Sequence, residues 1–126
     1  MRKILIAMSH ALTQAQILDL TDNGYEAVVS KEFLKSGCNR LAPDLTNKEL
    51  RSIAFELVKE AQSLDCEFIA MTGEPALTFH IWTIALKNSI GLLQSTTKRD
   101  TIEKVQDDGS VVKTQIFKHV QWREIW

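Results

Sequence analysis

The chain has 126 residues, 44% hydrophobic and 25% charged, a composition that suits one soluble domain with a single core and leaves no room for a second. Its 15 basic and 16 acidic residues give a formal net charge of -1, which argues against a surface coated for long nucleic acid but permits a local basic pocket. Cys38 and Cys66 lack metal-ligand spacing and fit reduced thiols. No apolar stretch is long enough to cross a membrane, and the run after Met1-Arg2-Lys3 is too short for a signal peptide, so a cytoplasmic protein is expected.

Residues 3–10, KILIAMSH, read as a buried strand, because Ile4 to Met8 form a near-continuous apolar run of the kind covered on both faces in an α/β sheet. Thr13 then caps a helix with Ile17, Leu18 and Leu20 close to one face, ending at Asn23-Gly24. Tyr25 to Ser30 is a second strand, which predicts a right-handed βαβ unit with parallel strands. Lys31 to Leu45, interrupted by Gly37, Asn39 and Pro43, reads as a short helical turn and a loop long enough to act as a lid. Thr46 and Glu49 form a capping box before Leu50, Ile53, Ala54, Leu57, Val58, Ala61 and Leu64 at helical spacing.

Cys66 to Thr72 is a third strand. After the turn Thr72-Gly73-Glu74, Pro75 opens a helix, since its missing amide proton is not needed at a first helical position. That helix carries Leu77, Phe79, Ile81, Trp82, Ile84 and Leu86 around most of its circumference, which predicts a two-fold dimer interface or a central core helix. His80 within it is expected to be a hydrogen-bonded structural residue.

Ile90 to Thr97 is a fourth strand, ending at Lys98-Arg99. Two segments, Ile102 to Gln106 and Val111 to Val120, flank Asp107-Asp108-Gly109 as a hairpin. In the last segment Val112, Thr114, Ile116, Val120, Trp122 and Trp126 share one parity, and Lys113, Gln115, His119, Gln121 and Arg123 the other. One face should pack and the other should meet water or ligand. The expected fold class is α/β, a mainly parallel sheet with flanking helices and a C-terminal β-hairpin, residues 1–100 forming the core and 101–126 the hairpin extension of one domain.

With parallel strands, Ser9-His10, Thr72-Gly73-Glu74 and Thr96-Thr97-Lys98-Arg99 converge on one carboxyl edge, where open α/β sheets collect ligands. Hydroxyls, an imidazole, helix-start amides beside Gly73 and two cations suit a phosphate-bearing ligand. Glu74 reads as a favourable charge at a helix start. The sequence has no paired carboxylates, no metal-ligand cluster and no P-loop, so neither metal nor cofactor is expected.

The opening KILIAMSHALTQAQ, the turn TGEPA and the tail TTKRDTIEKVQDDGSVVKTQIFKHVQWREIW resemble the small stand-alone CRISPR-associated accessory proteins of type III systems, a CARF-like family that includes ring nucleases. The resemblance runs through most of the chain and departs at Trp122 and Trp126, where smaller aromatics are more usual. It implies a Rossmann-like fold and a homodimer that binds cyclic oligoadenylate, of the four-membered ring, at its two-fold axis. It further implies metal-independent cleavage that switches off type III CRISPR signalling.

In that chemistry a ribose 2'-hydroxyl of the ligand attacks the neighbouring phosphate and leaves a 2',3'-cyclic phosphate, so the protein must mainly align the nucleophile and stabilise charge. The expected roles are Ser9 and Gly73 on the scissile phosphate, with Thr72, Glu74, Thr96 and Thr97 around the ligand. Lys98 or Arg99 would act on the transition state and His10 or His119 in proton transfer; a structural hydrogen bond is the competing role for His119. A sponge or sensor that binds the ring without cutting it is an alternative, and a small interaction subunit with no nucleotide affinity is a third.

Overall fold

In the computed structural model, which describes residues 2–8, 11–35, 43–71 and 75–126, the chain runs β1 (Arg2–Ala7), α1 (Gln14–Asp22), β2 (Tyr25–Val29), α2 (Lys31–Lys35), α3 (Asn47–Ser63), β3 (Phe68–Met71), α4 (Pro75–Lys87), β4 (Gly91–Val105) and β5 (Val111–Ile125). One sheet holds all five strands in the order β2-β1-β3-β4-β5. The first four are parallel and β5 runs antiparallel to β4. The mixed α/β architecture with a mainly parallel sheet is as expected.

Strand alternation sorts the core into two layers. Ile4, Ile6, Phe68, Ala70 and Leu93 pack with Leu20 of α1 on one face. Leu5, Ala7, Ile69, Met71 and Leu92 pack under Leu57, Leu77 and Ile81 of α3 and α4 on the other. Both faces of β1 and β3 are therefore covered, which explains their unbroken apolar sequences. No helix among the described residues is long and apolar enough to cross a membrane.

Capping boxes open two helices: Thr13 with Gln16, and Thr46 with Glu49. In α1 the apolar face is narrower than expected, with Leu20 buried but Ile17 and Leu18 about half exposed. In α4, Leu77, Ile81 and Ala85 are buried while Phe79, Trp82 and Leu86 stay partly in solvent, so this helix is a core helix on one side only. Cys66 is buried, and burial pushes its thiol up in pKa. Cys38 and residues 36–42 of the expected lid lie outside the described residues.

The largest correction concerns the C-terminal third. The fourth strand does not stop at Lys98-Arg99; it runs unbroken from Gly91 to Val105 and pairs with β5 along its length. Residue 100 thus lies inside a strand, and Lys98 and Arg99 sit on opposite faces of it rather than together at its end. β3 holds β4 only through Gly91 to Leu93. Beyond Thr97 the β4–β5 pair is a ribbon of roughly 26 Å at ~3.3 Å per residue, with Ile102, Val105, Val111, Val112 and Phe117 exposed. Cross-strand contacts stabilise it: Glu103 with Lys113 at 3.5 Å, Asp100 with Lys118 at 3.3 Å, and the Arg99 guanidinium 5.2 Å from the Phe117 ring centroid.

A second correction follows from a register shift. Thr96 faces Gln121 but Thr97 faces His119, so Val120 is an extra residue in β5, a β-bulge. The single parity expected for residues 112–126 reverses there. His119 and Trp122, assigned to opposite faces by sequence, both turn toward α1.

At the amino edge of the parallel strands, Arg2 joins three elements. Its guanidinium donates to Glu67 at 2.7 Å and Glu124 at 3.0 Å and lies over the Tyr25 and Phe68 rings. The Tyr25 hydroxyl donates to Glu124. Burial and this bonding push the Tyr25 pKa up to about 12, and the same hydroxyl is the chief reason the Glu124 carboxylate is held low. A raised phenol pKa contributes stability that is complete below pH 10 and lost as pH rises through about 12. Unfolding midpoints measured from pH 9 to 12 should fall in that window, and Tyr25→Phe should flatten the fall.

Gly91 is required by space rather than by φ. A Cβ there would stand 2.8 Å from the Phe68 ring and 3.1 Å from the Ile125 carbonyl oxygen, where β4 joins the parallel sheet. Gly91→Ala should destabilise by about 1–3 kcal/mol in urea denaturation, the range for overpacking a tight site.

Candidate functional site

The parallel strands end side by side: Ala7 of β1 pairs with Met71 of β3, and Ala70 with Leu93 of β4. The chain leaves β1 toward one side of the sheet and β3 toward the other, so the crevice between them is the topological switch point. Ser9 and His10 follow β1, and Thr72, Gly73 and Glu74 follow β3; all five lie outside the described residues. The ribbon rises from the same edge and is flanked by two basins, one toward α1 and one toward α4.

The basin on the α1 side, about 550 Å³, is lined by Thr13, Ala15 and Gln16 from the start of α1 and by Thr97, Phe117, Lys118 and His119 from the ribbon. Its wall is a chain of hydrogen bonds. The Gln16 carboxamide accepts from the Thr13 amide at 2.8 Å and donates to Ser95 Oγ at 3.2 Å. Ser95 Oγ lies 2.7 Å from His119 Nδ1, and His119 Nε2 lies 2.8 Å from Asp19 Oδ2.

Because Asp19 only accepts, Nε2 carries the ring proton and Nδ1 accepts from Ser95. Asp19 Oδ2 also accepts from the Trp122 amide at 3.2 Å, and the Trp122 indole donates to the Gln16 carbonyl at 3.1 Å. The His119 side chain is 5% exposed. Both its nitrogens are engaged, and through them His119 ties α1 to the ribbon.

The basin on the α4 side, about 470 Å³, is lined by Met71, Pro75, Thr78, Phe79, Trp82, Leu92, Gln94 and Ile125 among others. Met71 and Pro75 border the three residues that the sequence places in a phosphate-binding turn. Thr96 shares this face of β4 with Gln94 and Lys98, and its hydroxyl donates to the Gln121 carbonyl at 3.0 Å. Thr97 and Arg99 belong to the α1 side. The four ribbon residues named from sequence are thus split between the basins, two to each. His80, expected to be structural, is buried, with Nε2 3.3 Å from Asn47 Oδ1.

Sequence reading missed Gln16, Asp19 and Ser95. Gln16 had a legible signal in the T-x-x-Q spacing from Thr13. Asp19 and Ser95 carry no local pattern, since their partners lie 100 and 24 residues away in the chain.

The fold defines a mixed α/β domain with a mainly parallel sheet and an antiparallel ribbon. The chain belongs to the family described as the uncharacterized protein MJ1673 family, whose match spans residues 2–123. No curated protein matches the chain.

Replacing Asp19 with Ala leaves His119 Nε2 and the Trp122 amide without their acceptor and should cost about 2–4 kcal/mol, as charged hydrogen-bond partners do when removed from half-buried sites. Urea denaturation followed by tryptophan fluorescence measures it. Asp19→Asn, which keeps an acceptor oxygen, should cost less.

Proposed function

We propose that this protein is a metal-independent ring nuclease of the type III CRISPR response, which binds cyclic tetra-adenylate as a homodimer at the carboxyl edge and opens the ring. In this reading the sheet is a CARF-like variant of the Rossmann-like fold and the ribbon is its family-specific addition. The observation that carries the proposal is the ribbon's foot: the hydroxyls and cations of Thr96, Thr97, Lys98 and Arg99 follow within six residues of Leu93, the last residue of β4 paired with β3, which borders the switch point. The resemblance of the opening and the tail to ring nucleases supplies the ligand class.

The reaction needs no protein nucleophile. A ligand 2'-oxygen loses its proton and bonds to phosphorus, the bond from phosphorus to the 5'-oxygen breaks, and that oxygen takes a proton. Lys98 or Arg99, which lie on opposite faces of the ribbon, supplies positive charge for the extra negative charge on the phosphoryl oxygens. Ser9, Gly73 and the neighbouring Thr72 and Glu74 hold the phosphate. Proton transfer falls to His10, while His119 keeps the α1 basin in shape.

Sequestration without cleavage is the second reading. What favours it is the engagement of both His119 nitrogens, which leaves no free imidazole among the described residues of the α1 basin.

Incubating the protein with cyclic tetra-adenylate and a chelator tests both. Linear products ending in a 2',3'-cyclic phosphate are the expected result, and the Lys98→Ala/Arg99→Ala double variant should cut at least ~10-fold more slowly. Intact ring recovered from a tight complex means sequestration. Intact ring with no complex overturns both readings.

A further inference from the structure

The α4-side basin holds a combination that neither the core nor the ribbon needs. Phe79 and Trp82, three residues apart on α4 and so on one helix face, stay 59% and 39% exposed at its rim. Leu92 and Ile125, paired across β4 and β5, form an apolar floor. Gln94 stands two residues on from Leu92 along that floor, with a carboxamide that has no hydrogen-bond partner among the described residues. Directly across the ladder from Gln94 is Arg123, exposed and without an ion pair among the described residues.

From this geometry we infer that the basin is an adenine subsite, with the base stacked against Trp82 and Phe79, its edge read by the Gln94 carboxamide, and the attached phosphate met by Arg123. A carboxamide offers one donor and one acceptor side by side, which matches the N6 amino group and N7 of adenine; guanine presents two acceptors, O6 and N7, at that edge and calls for two donors. Exposed aromatic faces are sequence-tolerant stacking platforms for bases, and a purine covers more of them than a pyrimidine. The volume, about 470 Å³, lies in the range of small-ligand pockets.

A second protein copy is the less suitable occupant. A seam over this face of α4 would take Arg123 and the Gln94 carboxamide out of water, which is costly for both groups, and would engage Leu86, which is exposed but does not line the basin. The inference deepens the nucleotide reading above and rests on it for the phosphate, but base recognition stands on residues that the cleavage proposal does not use.

The test is calorimetric titration with adenosine and guanosine 5'-monophosphates, since a mononucleotide reports on the subsite without the ring. The wild type should bind the adenine nucleotide at least ~10-fold more tightly than the guanine nucleotide, a bidentate amide contact being of that order. Gln94→Leu should erase the preference, and Trp82→Leu should weaken both nucleotides about 10-fold.

Gln94 is exposed, so its variant keeps the fold, and selectivity is a readout that a general loss of stability does not produce. Equal binding of the two nucleotides by the wild type, or affinity indifferent to both substitutions, overturns the inference, as does sedimentation of a dimer whose formation Trp82→Leu abolishes. Adenine-selective binding through Gln94 in a protein that leaves cyclic tetra-adenylate intact keeps the subsite and removes the nuclease. Ring cleavage indifferent to Gln94 and Trp82 does the reverse.

Discussion

One carboxylate couples the helical layer of the α1 face to the far edge of the sheet. Asp19 accepts from His119 Nε2 and from the Trp122 backbone, and both donors belong to the strand farthest in sequence from α1. This is possible only because Val120 bulges out of β5 and brings His119 and Trp122 to the same side. Without the extra residue, one of the two would face away from Asp19. The bulge is therefore the device that lets a short, weakly apolar helix serve as the only helical cover of its face among the described residues.

The opposite end of the sheet uses a different means to the same end. Arg2, Tyr25, Glu67 and Glu124 bring β1, β2 and β5 together through hydrogen bonds and cation–aromatic contacts, where little apolar surface is left to bury. Between these two ties, β4 meets β3 through only a few residues, and the close approach at Gly91 is what permits that seam. The architecture spends its apolar residues on β1, β3 and the helices and joins the ribbon to them by polar contacts. Residues at the ribbon's foot are consequently left free of packing duties.

The parallel half of the fold was legible because burial on both faces writes itself as apolar runs, and because the capping boxes at Thr13 and Thr46 mark helix starts by local chemistry. The ribbon was not. Its residues from Lys98 to Val105 are held by cross-strand pairing rather than burial, so neither face acquires an apolar signature. A signal was present in the spacing: Glu103 and Lys113, and likewise Arg99 and Phe117, stand equally far on either side of Asp108, as partners across a hairpin must. Alternation in the last segment breaks at one residue, Val120, because a bulge interrupts the ladder there. Of the site, Ser9, His10 and the Thr72 to Glu74 turn were named from sequence, whereas the Asp19–His119–Ser95 chain depends on contacts that only tertiary structure brings together.

The hairpin turn at Gly109 has a bearing on how the chain reaches this state. β4 and β5 close across a turn of a few residues, whereas β1 and β3 meet across a separation of roughly sixty, and on the usual logarithmic scaling the longer closure costs about 2 kcal/mol more in chain entropy. Low contact order favours early zipping of the ribbon over early assembly of the parallel strands. The parallel layers then have a ready-made edge, Gly91 to Leu93, against which β3 can align.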